Sequence, residues 1–526
     1  MKKREKVLTG AIILLFLAFW TYIAYCVPYT HDDWDWGLDV GLEQWLTASL
    51  NNRYVGSFFV VIMTRSVAAK VLVLGGGMFA IPLLMALLAV PDGGEERRYP
   101  FLPLHLASPA DGEVRRRSFL PLYLAANLLT LLLPPRIWRQ TYGWVSGFAN
   151  YGVSAVFFLG WLLLLRIAFR TRRRGAGVAL AVVLLVYTFA LGLFVESQSA
   201  VDLLFCLALL SYSLVARRGR LPAACALAGA ILGVVVIFFN PLYGELVSTG
   251  EALGGIRHLI FPAGSTLIEM ISSVLQQLFG YLVPLLFQIG LTFSLLLALI
   301  TFLSLWRGRC RPLCVLAVWP AAYGVLMAFF RTELPEPLVV WGGIVSLVIP
   351  CLSVALSGGA LFRRLLRLLL LLCGFGMVAP MALVLDVGGR IYILFYLLTA
   401  LVALDLAAPL LDKRAVVAGA ICAVLSVAAM VQWGYAYARI LDCSALRKQL
   451  ILEAVKQGAK EVSIPTDRYE DIEWFRNPEA PHRVVFYRAF YGIPQDLKIV
   501  YLPPGSYEHW PDIWPEDRAG AVDFGV

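Results

Sequence analysis

The chain has 526 residues, of which 60% are hydrophobic and only 15% are charged, and its mean hydropathy is +0.76. A soluble protein of this length could hardly bury so many apolar side chains, so the composition excludes that class and indicates a polytopic membrane protein. The net charge of +9 lies in short loops between apolar segments, which argues against a nucleic-acid partner.

Apolar windows recur along most of the chain. A helix needs about 17–25 apolar residues to cross roughly 30 Å of hydrocarbon. Windows of this length predict about thirteen membrane-spanning helices, at 7–27, 71–91, 118–135, 151–169, 176–195, 200–216, 221–239, 283–306, 312–330, 338–357, 368–387, 391–411 and 415–433.

The basic N terminus precedes the first window without a small-residue cleavage site, which predicts a retained anchor with a cytoplasmic N terminus. Alternating the loops from that start puts 25 Lys and Arg on the cytoplasmic side and 8 on the other, the positive-inside pattern. Counting segment 53–70 as a span would invert this pattern, so we expect it to form interfacial helices. The large outer loops are then 28–70 and 240–282.

The sequence changes character after Trp433. An amphipathic helical pattern near 444–459 is followed by short strand-like runs at 461–464, 483–487 and 498–502. An odd number of crossings puts this region outside the membrane on the far side. We therefore predict a transmembrane domain over 1–433 and a small α+β extracytoplasmic domain over 434–526.

The first outer loop carries five acidic residues within twelve positions, Asp32, Asp33, Asp35, Asp39 and Glu43. Adjacent carboxylates repel each other, so one retains a proton or the pair recruits a cation, and either state suits a base that activates a hydroxyl. Trp34 and Trp36 would stack on a sugar ring or anchor the loop at the headgroups. The alternative is a solvated acidic turn with interfacial tryptophans.

An acidic motif in the first outer loop, followed by juxtamembrane helices, resembles the GT-C superfamily of membrane glycosyltransferases. Asp32-Asp33-Trp34, Asn52-Arg53-Tyr54 and Gly56 are similar to motifs of multispanning bacterial families related to the O-antigen glucosyltransferases. The Asn-Gly-Arg form expected in those relatives is Asn51-Asn52-Arg53 here.

The resemblance implies a bacterial cytoplasmic-membrane enzyme that takes a sugar from a polyprenyl phosphate. The acceptor is a cell-envelope glycan, lipid or protein, and Asp32 or Asp33 deprotonates its hydroxyl in an inverting transfer. The leaving phosphate requires positive charge, and a guanidinium can hold two phosphate oxygens at once. The candidates on the same side, each of which could equally anchor the interface, are Arg53, Arg257, His258, Arg331 and Arg390.

Aromatic, small and amide side chains on the same side are candidates for a substrate groove. They could equally form an aromatic belt, and Glu196 is also a candidate second carboxylate. The groove candidates are Trp34, Trp36, Tyr142, Trp144, Asn150, Glu196 and Tyr243.

A divalent cation is left open as a cofactor, since some GT-C relatives use one and others do not. Asp32, Asp33 and Asp35 offer the hard oxygen ligands that Mg²⁺ or Mn²⁺ accepts, whereas His31 alone does not make a zinc site.

Two other functions compete with the transferase. A transporter or flippase of lipid-linked glycans would use similar apolar helices, although no paired halves are evident in the sequence. A polysaccharide polymerase would rely on arginines, and the acidic first loop argues against it.

Overall fold

The computed structural model describes residues 3–90, 112–171, 173–252, 257–262, 264–308, 310–358, 360–384, 388–465, 472 and 484–502. Over these residues the regular structure is helical apart from two short strand pairs. Within the described residues, twelve helical segments are long and apolar enough to cross a membrane, as a multi-pass membrane protein requires. These segments are Val7–Cys26, Val67–Ala89, Val145–Arg170, Arg174–Leu191, Glu196–Val215, Arg220–Phe238, Leu267–Ile289, Arg311–Phe329, Glu336–Leu356, Leu361–Leu383, Gly389–Lys413 and Ala415–Lys456.

Two predicted spans differ from the observed helices. The window at 118–135 falls on the helix Gly112–Leu131, whose apolar part Phe119–Leu131 is shorter than the predicted span. The window at 283–306 is divided at Gly290 into Leu267–Ile289 and Leu291–Arg307. A side chain at Gly290 would put its Cβ 2.6 Å from Pro134, so the break coincides with a close approach of another segment. The first of these helices begins inside the predicted loop 240–282.

Short helices fill the segments between the spans. Residues 53–70 contain the 12-residue helix Tyr54–Arg65, which is too short to cross a bilayer, and Val67 already begins the next candidate span. The other short helices are Asp33–Gly37, Asp39–Thr47, Pro135–Arg139, Pro241–Thr249 and Val484–Tyr491. The first strand pair is antiparallel, Glu251–Ala252 with Arg257–His258.

The last span is a single helix of 42 residues, Ala415–Lys456, so positions 433 and 434 lie inside one continuous element. Strands Glu461–Pro465 and Lys498–Leu502 form where they were predicted and pair in parallel. The strand predicted at 483–487 is wrong, because Val484–Tyr491 is a helix. Its buried residues Tyr487 and Arg488 belong to a helical turn, and a short apolar run does not distinguish helix from strand. Positions 473–483 and 503–526 lie outside the described residues.

The spans have two ends with different composition. We call the described residues 28–66, 134–144, 192–195, 239–252, 257–262, 264–266 and 440–465 the loop end, and the described residues 166–171, 173–174, 216–220, 307–308, 310–311, 357–358 and 360–364 the arginine end. Asp33 contacts Ser146 at the loop end of the Val145–Arg170 helix, while Phe169, near its other terminus, packs against Gly219. The arginine end carries most of the short basic loops.

Small residues allow two neighbouring spans to pack closely. Arg220–Phe238 contains Gly229 and Gly233, spaced by four, and it lies against Arg174–Leu191. A Cβ at Gly229 would lie 2.3 Å from the carbonyl oxygen of Leu185, and one at Gly233 would lie 3.1 Å from the Cα of Gly192. This is the spacing and environment of a small-residue helix contact in membranes.

We therefore expect Gly229→Ala to lower the stability of the protein by about 1–3 kcal/mol, because the new methyl group must push a backbone carbonyl away. Gly177→Ala, on the partner helix, is the matched control, since no atom lies within 4 Å of a Cβ built there. Thermal unfolding of both variants in the same detergent measures the difference. Equal unfolding temperatures would contradict the close contact.

Candidate functional site

The first loop is held to the start of the Val145–Arg170 helix by the carboxylate of Asp33. Its Oδ1 accepts hydrogen bonds from the Ser146 N–H at 2.8 Å and from the Ser146 hydroxyl. Its Oδ2 accepts the Thr30 N–H at 2.9 Å, and the side chain is fully buried. A helix N terminus has unpaired N–H groups and positive potential, so a carboxylate is stabilised there. Asp33 therefore joins two segments that are 113 residues apart.

Burial raises the pKa of Asp33 from 3.8 to about 7, even though the hydrogen bonds from Ser146 and Thr30 act in the opposite direction. The carboxylate of Asp33 is thus shielded from solvent and both of its oxygens are engaged. These contacts suit a positioning role better than proton abstraction from a substrate.

Asp32 has a different environment from its neighbour. The chain turns at His31, whose φ of 54° lies in the left-handed region. The Asp32 side chain is 30% exposed, and its Oδ1 lies 2.6 Å from Nδ1 of His31, which is 15% exposed. Asp32 is consequently the accessible carboxylate of the pair, with an imidazole in direct contact.

Aromatic rings connect His31 to an arginine. The His31 ring lies 5.6 Å from the Trp144 ring, edge to face. The guanidinium carbon of Arg390 lies 5.6 Å from the centre of the Trp144 ring and 5.8 Å from that of Tyr151. The backbone N–H of Arg390 donates to Oε1 of Gln140 at 3.2 Å, which fixes the start of the Gly389–Lys413 segment. His31 and Arg390 therefore contact the same Trp144 ring.

A second group joins three of the predicted residues. Arg53 donates from Nε to both oxygens of Glu196, at 3.1 and 3.0 Å, and from Nη2 to Oε2 at 2.6 Å. The Tyr243 hydroxyl donates to the same carboxylate. Burial lowers the pKa of Arg53, but the charge of Glu196, its hydrogen bonds and the neighbouring tyrosines together raise the pKa above its ordinary value, so the guanidinium stays charged. Tyr151 also interacts electrostatically with Arg53, which links this group to the Arg390 group.

The residues on either side of Arg53 are held by contacts with distant segments. Asn52 donates to the carbonyl of Val236 at 2.7 Å and accepts from Asn240 at 3.0 Å. A Cβ at Gly56 would lie 2.3 Å from Oδ1 of Asn150, so only glycine allows this approach. Asn150 lies in the π-helical turn Phe148–Gly152, and its Oδ1 is buried without a hydrogen-bond partner.

Three predicted groove residues are buried in packing clusters. Trp34 contacts Tyr487 with ring centres 4.9 Å apart and donates from Nε1 to the carbonyl of Tyr29. Tyr142 is fully buried against Trp138. Trp36 is also buried, and its carbonyl accepts a hydrogen bond from Arg65. Trp36 and Tyr142 therefore support the loop end, whereas Trp34, although buried, also lines a pocket between the first loop and the helix Ala415–Lys456.

The remaining predicted cations do not join these groups through any contact among the described residues. His258 Nδ1 lies 3.4 Å from Glu251, and both side chains are exposed. The backbone of Arg257 pairs with Ala252, while its side chain lies outside the described atoms. Arg331 interacts with Tyr323, beside the Glu336–Leu356 helix.

The carboxylates of the first loop do not gather as metal ligands. Among the described residues, no group of three or more His, Cys, Asp or Glu side chains could hold a metal ion. The two oxygens of Asp33 already accept hydrogen bonds from Ser146 and Thr30, so Asp32, Asp33 and Asp35 do not present a shared set of oxygens. The residues present do not fit a divalent cation at this position.

Sequence reasoning missed Ser146, Tyr151 and Gln140 as parts of the site. Ser146 and Tyr151 stand close to the groove candidates Trp144 and Asn150 in the sequence, but nothing local pairs them with Asp33 or Arg390. Comparison of the chain with family models, curated proteins and solved structures found no match.

We expect Asp33→Asn to lower the free energy of unfolding by about 1–3 kcal/mol at neutral pH, because the amide NH2 must face the donors of either Ser146 or Thr30. The pKa of Asp33 is higher in the folded state than in the unfolded state, so the folded state binds the proton more tightly. The stability that Asp33 contributes therefore falls as the pH rises from about 4 to about 7. The loss of unfolding free energy in Asp33→Asn, relative to the unsubstituted protein, should therefore grow as the pH falls below 7. Chemical unfolding from pH 5 to 8 measures it, with Asp32→Asn as the control, and a deficit independent of pH would contradict this role.

The Arg53–Glu196 pair should be energetically coupled, because its side chains are only 22% and 12% exposed. We expect Arg53→Met and Glu196→Gln to cost more in sum than the double variant, by about 1–3 kcal/mol. The exposed pair Lys498–Glu461, at 2.8 Å, is the matched control and should be additive within error. Additive unfolding free energies at Arg53 and Glu196 would refute the coupling.

Proposed function

We propose that the protein is a GT-C-type glycosyltransferase that moves a sugar from a polyprenyl phosphate to an acceptor of the bacterial cell envelope. The observation that carries the proposal is the accessible carboxylate of Asp32, which lies 2.6 Å from His31 with Arg390 across the Trp144 ring. A base and a phosphate-binding cation at one membrane-protein surface suit transfer from a lipid phosphate.

In the proposed reaction, the acceptor hydroxyl attacks the anomeric carbon while its proton passes to the carboxylate of Asp32. The bond between that carbon and the phosphate oxygen breaks, and the polyprenyl phosphate leaves with the electron pair. Attack from the face opposite the leaving group inverts the configuration. Arg390 stabilises the charge on the departing phosphate, and His31 shares the proton taken by Asp32.

This assignment separates the roles of the two adjacent aspartates. Asp32 is proposed as the base, whereas Asp33 is a positioning residue that holds the first loop on Ser146. Arg53 is engaged by Glu196, so its proposed role is to orient Tyr151 and Tyr243. Arg390 is then the principal phosphate ligand.

The proposed topology has thirteen crossings. Phe119–Leu131 adds one crossing to the candidate spans, while Leu267–Ile289 and Leu291–Arg307 together form one broken crossing. This order puts the first loop and the C-terminal segment on the same side. The concentration of arginines at the other end supports a cytoplasmic N terminus and an extracytoplasmic C-terminal α+β region in the bacterial inner membrane.

One observation favours transport of a lipid-linked glycan as the second candidate. Asp202 is fully buried within the Glu196–Val215 span, where Oδ1 accepts a hydrogen bond from Gln198 at 2.5 Å. Oδ2 of Asp202 and Oε1 of Gln198 are buried without partners. Carboxyl groups inside membrane spans often belong to proton or ion pathways.

The two candidates predict different effects of substitution. We expect Asp32→Asn to reduce sugar transfer by at least 100-fold, the typical weight of a general base, with an unchanged unfolding temperature. Transfer is measured with purified protein, a radiolabelled polyprenyl-phosphate sugar and an envelope acceptor fraction. Asp202→Asn is the control and should leave transfer unchanged. Full transfer by Asp32→Asn would show that the proposed base is wrong. Transport of a lipid-linked glycan across the membrane that is lost only in Asp202→Asn would favour the transporter.

A further inference from the structure

A crevice lined by leucine side chains opens at the arginine end of the spans. Four of the spans supply its walls, and its apolar lining residues are Leu88, Leu162, Leu366, Leu370, Leu401 and Val402. All of these side chains are buried except Leu366, which is half-buried, so the crevice is narrow. Water finds no hydrogen-bond partners on an apolar wall of this kind, whereas a hydrocarbon chain is stabilised against it.

Three charged residues stand among these leucines: Arg363, Arg367 and Asp405. Arg367 donates from Nε to Oδ2 of Asp405 at 2.6 Å, and both side chains are largely buried. The terminal nitrogen atoms of Arg367 make no hydrogen bond within the described part of the chain, and they are not fully enclosed. The carboxylate of the crevice is therefore engaged, while guanidinium donors beside it remain available to a ligand.

Arg307 adds a further positive charge to this cluster. It is the last residue of the helix Leu291–Arg307, it is half-buried, and it interacts electrostatically with Arg363, Arg367 and Asp405. Its guanidinium forms no hydrogen bond or ion pair with any described residue. Like charges repel more strongly when they are partly removed from water. Arg307 thus has two cations and a single, already engaged carboxylate around it, an arrangement that an added anion would stabilise.

The depth of this cluster matches the headgroups of a membrane. Trp306 is 47% exposed, and its ring centre lies 4.9 Å from the guanidinium carbon of Arg311. Exposed tryptophans at the ends of spans are typical of the membrane–water interface. Leu370 lies two helical turns, or about 10 Å, further into the spans than Arg363. The cations are therefore at the level of lipid phosphates, and the crevice extends from there toward the hydrocarbon.

We infer that this crevice binds an anionic phospholipid, with the phosphate against Arg307 and Arg367 and an acyl chain between the leucine side chains. Basic pockets between membrane helices suit anionic headgroups, and a guanidinium can donate to two phosphate oxygens. The site goes beyond the proposed transferase function and does not depend on it. It lies at the opposite end of the spans from Asp32 and Arg390, where the prenyl phosphate donor is proposed to bind.

Binding is measured by native mass spectrometry of the full-length protein in detergent, titrated with one lipid at a time. The probes are dioleoyl phosphatidylglycerol, dioleoyl phosphatidylcholine, geranylgeranyl phosphate and glycerol phosphate, the last of which has no hydrocarbon chain. We expect phosphatidylglycerol to bind about tenfold more tightly than phosphatidylcholine, whose own cation competes with the arginines for the phosphate. Glycerol phosphate should bind more weakly than phosphatidylglycerol, because it leaves the crevice empty.

Arg307→Gln tests the headgroup contact. We expect it to weaken phosphatidylglycerol binding about tenfold, the weight of one charge-assisted hydrogen bond. Arg217→Gln is the matched control, since Arg217 is exposed at the same end and lies outside the crevice, and it should have no effect.

Leu366→Trp tests the crevice separately from the charges. The larger side chain at the half-buried wall position should weaken binding of both phospholipids and leave glycerol phosphate unaffected. The unfolding temperature of each variant in lipid-free detergent distinguishes a lost site from a lost fold.

Four results would overturn the assignment. Equal affinity for the two phospholipids would remove the role of the headgroup charge, and unchanged phosphatidylglycerol binding by Arg307→Gln or by Leu366→Trp would remove the residue concerned from the site. Glycerol phosphate that binds as tightly as phosphatidylglycerol would show a site for free anions. Tighter binding of geranylgeranyl phosphate, lost in Arg307→Gln, would assign the crevice to a prenyl phosphate instead of a phospholipid.

Discussion

The arrangement of the loop end depends on the hydrogen bonds between Asp33 and Ser146. The chain leaves its first span at Cys26 and must fold back over the helices without a long element of its own. A buried carboxylate at a helix N terminus provides an anchor for this segment, because the unpaired N–H groups there favour an acceptor. Once Asp33 is fixed, its neighbour Asp32 is directed to the accessible side of the turn.

Two further contacts hold the same loop. Trp34 packs against Tyr487 of the C-terminal segment, and Arg65 donates to the carbonyl of Trp36. The Arg53–Glu196 pair attaches the next segment to the start of another span. The loop is therefore fixed on several sides, which is the condition that a proposed base and phosphate ligand need, since small displacements are costly in catalysis.

The sequence predicted the membrane helices well because apolar length is a local property. The windows at 7–27 and 391–411, for example, match the spans Val7–Cys26 and Gly389–Lys413 closely. The division at Gly290 was not predictable, since it coincides with an approach to Pro134 from a distant part of the chain. The helix at 484–491 was missed because a short apolar run fits both a helix and a strand.

The candidate site was only partly predictable for the same reason. Acidic and basic residues near the first loop could be named, but their partners lie far away in sequence. Asp33 is bound by Ser146 and Thr30 whereas Asp32 contacts His31, and Arg53 is engaged by a carboxylate 143 positions later. Tyr142 and Trp34 are likewise buried by tertiary packing. The sequence does not distinguish buried aromatic residues of this kind from aromatic residues that line an exposed groove.

The most direct test of the account is a cryo-electron microscopy map of the protein in nanodiscs with a short-chain prenyl phosphate. The account predicts density for the phosphate against the Arg390 guanidinium on the side of the first loop that exposes Asp32, with Asp33 enclosed against Ser146. Phosphate density only at the arginine end, or an Asp33 side chain open to solvent and separated from Ser146, would contradict it.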